Sequence, residues 1–484
     1  MNEYKLPSAK EARFRNKAYQ VPIVYNSVSL SESQKQLGVG FKYHVATYGC
    51  QANVRDGEVI SGILENMGYT FTGELKDADI IILNTCAIRE NAEKRILGTI
   101  GYLKSFKRLN PNMVIGLCGC IPQQEQMVKM IIEKYPVVEL IFGTHNITAL
   151  PNLLENVINT KKRKVEVFST LGSIYEDLPS VRQFKHKAFV NIMDGCDKFC
   201  TYCIVPYTRG QQRSRKLEDI LNEVNSLKDK GYKEITLLGQ NVNAYGKDLS
   251  EGYTFGDLLE KVSDTGFKRI RFTTSHPWDF DDKMIDIVAS RKNIMPFIHL
   301  PLQSGNDDIL KLMNRRYTAK EYKELFDKIK TKIKDVAIST DIIVGFPNET
   351  EEQFLDTLEM VEYCKYDNAY SFVFSAREAT PAARMEDSIS IEEKKKRLQR
   401  LNERLGYYSK LNNKKWEGKI VEVLVDGYSK TNPNIMSGYT PQQKLVNFSY
   451  DKAEIGDIIY VKITQGMKNS LNGIQVHFEK EEYE

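Results

Sequence analysis

Residues 188–203 read AFVNIMDGCDKFCTYC. The first six, AFVNIM, form an apolar run suited to a buried strand, and Asp194-Gly195 punctuates its end. Cys196, Cys200 and Cys203 then follow within eight residues on one loop. Three thiolates so spaced can wrap one metal centre. Structural zinc usually takes four protein ligands, and no fourth Cys or His stands in the neighbourhood; His186 lies on the far side of the strand. Three ligands on a cubane iron–sulfur cluster leave one iron open for a small molecule. A zinc knob or unligated core thiols are the plainer alternatives, but the CxxxCxxC spacing at a strand end favours the cluster.

The strand belongs to an alternating series from 187 to about 376. Its members are AFVNIM (188–193), EITLLGQ (234–240), RIRFTTS (269–275), FIHLPLQ (297–303), AISTDIIVGF (337–346) and AYSFVFS (369–375), with helical stretches such as 217–231 and 351–365 between them. Six βα units predict an incomplete (βα)₆ barrel with its active groups at the carboxyl ends of the strands.

An earlier series has the same rhythm. Strands at 43–49, 79–85, 113–119 and 138–144 alternate with helices at 57–68, 89–106, 123–135 and 146–157, which predicts an open parallel α/β sheet. Cys50, Cys86 and Cys120 come just after its first three strands. Carboxyl ends of parallel strands converge on one crevice. One such thiol alone would read as a buried apolar residue; three at equivalent places predict a second three-thiolate site. Cys118, inside a strand, and Cys364, on a helix, are read as core packing.

After a long basic helix at 390–413, short alternating strands bounded by Gly, Asn and Asp predict a small all-β barrel. The domain plan is an N-terminal extension (1–40), the α/β domain (41–160), a linker (161–181), the partial barrel (182–412) and the β-barrel (413–479).

The chain has 484 residues, enough for about two to four domains. With 41% hydrophobic and 27% charged residues it is neither disordered nor collagen-like, and no apolar run reaches the ~18–20 residues a bilayer needs. The N-terminus lacks the apolar core of a secretory signal, so a cytoplasmic location is expected, where eight cysteines read as ligands or core residues rather than disulfides. Net charge is only +4, but 182–216 carries eight Lys/Arg against two Asp and 391–415 nine against three Glu. Such blocks suit a polyanion or are solvated faces.

The three-cysteine spacing of 196–203 resembles the radical S-adenosylmethionine (SAM) superfamily. TYGCQANVRDGE (47–58), NTCAIRENAEKRILG (84–98), GCIPQ (119–123) and GCDKFCTYCIVPYTRG (195–210) together resemble the methylthiotransferase family over about residues 41–479. LLGQNVNAYG (237–246), SHPWDF (275–280), HLPLQSGND (299–307) and DIIVGFPNET (341–350) agree with it. Ala52, where Met is frequent, and Gly57, where Ser is usual, depart from it without touching a ligand.

The resemblance implies two [4Fe–4S] clusters: one on Cys196, Cys200 and Cys203 that cleaves SAM to a carbon radical, and an auxiliary one on Cys50, Cys86 and Cys120 that supplies sulfur. A second SAM would give the methyl group. TYGCQ and CTYCIVPYTRG resemble the tRNA-modifying branch, which implies methylthiolation at C2 of N6-isopentenyl-adenosine beside the anticodon. It further implies a C-terminal RNA-binding TRAM domain, tRNA anticodon stem-loop as partner, an electron donor such as flavodoxin or ferredoxin, no membrane association, and a monomer. The alternatives are the same chemistry on a ribosomal-protein aspartate, and a non-catalytic zinc-stabilised RNA-binding protein.

Position at strand ends makes Gln240, Asn241, Asn243, Ser275, Gln303, Asp341 and Gly345 the candidate SAM contacts, although Gly345-Phe-Pro also reads as a strand-end turn. Arg209, Arg213 and Arg215 are candidates for RNA phosphate or SAM carboxylate. Phe199, Tyr202 and Tyr207 either stack on the substrate or pack around the cluster. The basic helix Lys394–Arg404 is a further candidate RNA contact.

Overall fold

A computed structural model describes residues 6–18, 21–87, 90–168, 173–430 and 432–477. The first five residues of the predicted extension, 169–172 of the predicted linker, Arg89 at the start of a predicted helix, and 478–479 at the end of the predicted β-barrel lie outside the described residues.

The N-terminal unit is a six-stranded sheet of parallel pairs built on Lys42–Tyr48, Ile80–Thr85, Val114–Gly119 and Leu140–Phe142. Its central strands Ile80–Thr85 and Val114–Gly119 are buried at every residue, as expected of strands covered on both faces. Two strands were missed from sequence: Thr70–Phe71 at one edge, and Lys164–Glu166 at the other, within the predicted linker. The same linker supplies Ile174–Tyr175, which pairs with Ile23–Val24 of the N-terminal extension. Thus 161–181 is partly sheet, and Ile23–Val24 ties the extension to it. The helix after the first strand begins at Gln51, directly behind Cys50, rather than at 57.

The second unit is an incomplete barrel. Its strands Lys187–Asn191, Glu234–Leu238 and Arg269–Phe272 form one parallel half, and Phe297–His299, Ala337–Val344 and Asn368–Val373 the other. An isolated bridge between Ile270 and Ile294 joins the halves. One apolar core runs beneath the covering helices, from Val190 and Ile220 through Phe272 and Ile298 to Phe354 and Leu401. Cys364 belongs to this core, and Cys118 to that of the first unit.

The helix Ile391–Lys414 packs on Asn368–Val373 and leads into a closed five-stranded barrel, Ile420 to Val476. This barrel docks on the amino ends of the larger one. Arg271 donates to the carbonyls of Thr440 and Pro441, both at 2.8 Å, while Asp426 faces His186 at 2.9 Å. Among the described residues no helix is long and apolar enough to cross a membrane.

Candidate active site

The first three parallel strands of the N-terminal sheet end together, and their thiols follow. A Cβ placed on Gly49 would lie 2.5 Å from the Cβ of Cys86. The Cys120 amide donates to the Thr85 carbonyl at 2.7 Å. Beneath them lies a buried amide knot: Asn53 takes the Cys50 thiol at 3.1 Å and donates to Asn84 and to the Thr85 carbonyl, while Asn84 donates back to the Asn53 carbonyl. The Cys86 thiol hydrogen-bonds Cys50 and, with Arg209 nearby, holds Cys50 well below the usual thiol range despite its burial. Cys120 is pushed up by burial, with Arg209 opposing.

The second loop is held differently. Gly195 takes a left-handed conformation (φ +71°), and a Cβ there would stand 1.9 Å from the Gln211 carbonyl oxygen. Only glycine lets the chain pass so close and deliver Cys196 beside Gly210, to whose carbonyl it donates at 3.1 Å. Asn314 donates to the carbonyls of Lys198 and Phe199, and Thr201 to that of Leu312. Arg315, buried, reaches the Cys200 sulfur at 3.6 Å and donates to the Pro301 carbonyl. Burial pushes Cys203 up to about 12 and Cys196 higher still. A cationic iron core takes such thiols as thiolates and displaces their protons.

Among the described residues, no three Cys, His, Asp or Glu side chains close on a single-ion position. Three thiols per set, without a fourth protein ligand among the described residues, match the donor number of a cubane with one open iron rather than the four ligands of structural zinc.

One apolar cluster spans both loops. Cys120 and Ala87 from the N-terminal sheet pack with Phe199, Ile204 and Tyr207 from the cysteine loop, and with Leu6 and Ala12 of the N-terminal extension. The two thiol sets, separated in sequence, thus share one wall.

The strand-end polar residues sort into two groups. Gln240 Oε1, Asn241 Oδ1 and Gln303 Oε1 are buried acceptors with no hydrogen-bond partner among the described residues. Such atoms are costly unless something donates to them, and SAM, with its amino and ribose hydroxyl groups, is a suitable donor. The others are engaged within the protein. Asn243 exchanges two hydrogen bonds with the His276 backbone, and the Ser275 hydroxyl donates to the His299 carbonyl. Asp341 faces the His299 ring at 3.3 Å. Gly345 has φ +67°, donates to Glu349, and its missing Cβ leaves room for the Lys394 chain, so the turn role fits it.

The structure corrects the reading of the arginines. Arg209 is buried against Asp56 at 2.5 Å and Asp194 at 3.4 Å; Arg215 is clamped by Glu176 and Glu223, each at 2.6 Å. Arg213 is buried and donates to the Arg209 carbonyl. None of the three presents an open guanidinium to RNA. They line a cavity of about 790 Å³ at the seam between the N-terminal unit and the barrel, where acids and bases pair with each other. The helix Ile391–Lys414 is corrected likewise: Lys394 pairs with Asp387, Arg397 with Glu349, Arg400 with Glu351 and Arg404 with Glu362. Partners that a local charge count misses, such as Asp56 for Arg209 and Glu349 for Arg397, take up part of both blocks, while Lys395 and Lys396 stay exposed on the helix.

Two contributors escaped sequence reasoning. Arg315 carries no motif. Asp279 accepts from Asn241, Lys198 and Lys247, which fixes the barrel mouth beside the cysteine loop; its only signal was its place within the SHPWDF motif.

Family comparisons agree with this architecture. Residues 190–361 match the radical SAM superfamily, 42–143 the uncharacterized protein family UPF0004, and 414–476 the TRAM domain. The fold is shared with the radical SAM methyltransferase TsrM from Kitasatospora setae, at TM-score 0.53 and 13% identity over 70% of this chain and 76% of that one. The molecule is thus a radical SAM protein with an added N-terminal α/β unit and a C-terminal TRAM barrel. The chain is 53% identical over 471 residues, 97% of its length and 92% of the relative's, to the tRNA-2-methylthio-N(6)-dimethylallyladenosine synthase of Bacillus cytotoxicus. It is 52% identical to that of Bacillus subtilis, with the same coverage, and 51% to that of Staphylococcus epidermidis, over 98% of this chain and 92% of the relative. It belongs to the tRNA-2-methylthio-N(6)-dimethylallyladenosine synthase family.

Proposed function

We propose that this protein places a methylthio group at C2 of N6-isopentenyl-adenosine next to the tRNA anticodon, with Cys196, Cys200 and Cys203 holding one [4Fe–4S] cluster and Cys50, Cys86 and Cys120 another. Bound there, the clusters and SAM supply an electron, a carbon radical able to remove a C2 hydrogen, and the sulfur and methyl group to be transferred. The residues of the chain bind, orient and exclude water. Gln240, Asn241 and Gln303 accept hydrogen bonds from SAM. Asn243, Ser275 and Gly345 hold the strand ends that carry them. Arg315 and Arg209 each set a cation beside one thiol set, offsetting negative charge in a buried site. Phe199, Ile204 and Tyr207 keep the shared wall apolar.

The single observation that carries this reading is that wall: Cys120 packs in the same apolar cluster as residues flanking Cys200 and Cys203. A sulfur-supplying site is useful only within reach of the carbon that is activated. The domain plan follows, with 41–160 carrying the auxiliary site, 182–412 the SAM site and 413–479 the TRAM barrel. An electron donor of the flavodoxin or ferredoxin class and action as a monomer complete the proposal.

Anaerobic reconstitution followed by iron and sulfide analysis tests it. About eight iron and eight sulfide per chain are expected from two cubanes; about half of that removes the auxiliary cluster. Incubation with isopentenylated anticodon stem-loop and, separately, with ribosomal protein tests the substrate. Mass gain on the protein alone overturns the assignment, and a colourless zinc protein unable to cleave SAM overturns the chemistry.

A further inference from the structure

The helix Ala9–Ala18 lies outside the matched family domains, yet it forms part of the chamber wall. Leu6 and Ala12 are buried against Cys120, Ala87, Phe199 and Tyr207. Arg13 lies over the Phe199 ring at 5.2 Å, and Arg15 donates to the Pro206 carbonyl at 2.8 Å.

Its outer face differs in chemistry. Lys10, Phe14 and Lys17 recur at i, i+4 and i+7, one stripe of a helix. All three are exposed, and Phe14 keeps 75% of its surface in water. Among the described residues Lys10, Arg13 and Lys17 form no ion pair. An exposed ring between two unpaired cations has no packing purpose here.

A matching feature stands across the cysteine loop. Phe199 has a left-handed backbone (φ +50°), and its neighbour Lys198 lies over the Trp278 ring at 4.4 Å. Arg316 lies over the same ring at 4.7 Å. Trp278 remains 44% exposed, and Arg316 is exposed without a carboxylate partner among the described residues.

We propose that the outer stripe of helix Ala9–Ala18 and the Lys198–Trp278–Arg316 stack form one cation–aromatic rim that grips the single-stranded anticodon loop as its base enters the chamber. The inference rests on the tRNA assignment above and adds the surface that would hold the RNA. Lys10, Lys17 and Arg316, without carboxylate partners among the described residues, complement phosphates, Lys198, held by Asp279, steadies Trp278, and the exposed Phe14 ring takes an unstacked base of any sequence. The site fits a loop, not a duplex, because the rim borders the wall where the two thiol sets meet.

The test measures binding of fluorescein-labelled, isopentenylated anticodon stem-loop to the reconstituted full chain by anisotropy over a salt series. The triple variant Lys10→Ala, Phe14→Ala, Lys17→Ala is expected to weaken binding at least tenfold and to flatten the slope of log K against log salt by about 1.4, two phosphate contacts on a single strand. Arg316→Ala is expected to weaken binding at least threefold. Lys10→Arg with Lys17→Arg should keep wild-type affinity, and unchanged melting temperature and iron content show that each variant is folded. Affinity within twofold of wild type for both alanine variants overturns the rim. Tighter binding by the triple variant also overturns it and makes the helix a cover. Wild-type protein that binds no stem-loop overturns the tRNA assignment as well.

Discussion

Asn53 shows how one side chain organises a site made from three separate segments. Its amide meets the half-buried Cys50 thiol and, out of water, Asn84 and the Thr85 carbonyl. Asn53→Ala leaves these groups unsatisfied and should destabilise the N-terminal unit by about 1–3 kcal/mol, read as a lower melting temperature of the apo-protein. The cysteines themselves are predicted to separate the two sites. Cys203→Ala should retain about half the iron and form no 5′-deoxyadenosine from SAM. Cys86→Ala should lose a similar share of iron, keep SAM cleavage and yield no methylthiolated RNA. Product from Cys86→Ala at the wild-type level would refute the auxiliary role.

At the scale of the element, the loop from Gly195 to Cys203 depends on its first residue. Gly195→Ala drives a Cβ into the Gln211 carbonyl, at 1.9 Å as built, and asks a left-handed conformation of alanine. The loop must shift, so Cys196 leaves register with Cys200 and Cys203. The expected outcome is iron content falling toward one cluster with the N-terminal unit still folded, measured by iron analysis and limited proteolysis. The N-terminal helix teaches a different lesson. Residues 1–40 looked aperiodic because its buried contacts are few and small, chiefly Leu6 and Ala12. Yet a capping box was legible: the Ser8 amide donates to the Glu11 carboxylate at 2.7 Å, and the Glu11 amide to the Ser8 hydroxyl at 3.3 Å.

At the scale of the molecule, charged seams lock the units together. Glu223 on the barrel receives Arg182 at 2.5 Å and Arg215 at 2.6 Å, with Arg55 of the N-terminal unit at 3.6 Å. Burial works against its charge, but Arg215, Arg55 and Arg182 hold it down at about 2. A depressed carboxylate contributes stability that is complete above its ordinary value near 4.5 and is lost as pH falls through the folded value. The contribution is about 3 kcal/mol at neutral pH. Wild type should therefore melt well above Glu223→Gln at pH 6, and the gap should close toward pH 2; a gap constant with pH would show that the charge is not what matters. At the other seam, Arg271→Ala should loosen the TRAM barrel by removing its bonds to Thr440 and Pro441 while Asp426–His186 and Arg269–Tyr439 remain, with faster proteolysis around 412–416 as the measurement.

The succession of strands and helices, the partial barrel, the small C-terminal barrel and the place of Cys50, Cys86, Cys120 and Cys196 just behind strands were determined by the chain alone, because hydrophobic period and turn residues act over a few neighbours. Glycine in Asp-Gly-Cys and Tyr-Gly-Cys was equally visible. What only the tertiary structure decided is which charges are free. Arg209 meets Asp56 across 153 residues, and Arg271 meets Pro441 across 170. A local count leaves 182–216 and 391–415 as either polyanion surfaces or solvated faces, whereas folding pairs Arg209 with Asp56, Arg215 with Glu176 and Arg397 with Glu349 and leaves Lys395 and Lys396 exposed. Burying an ion without its partner is too unfavourable to persist, so pairing follows contacts that no window of sequence contains.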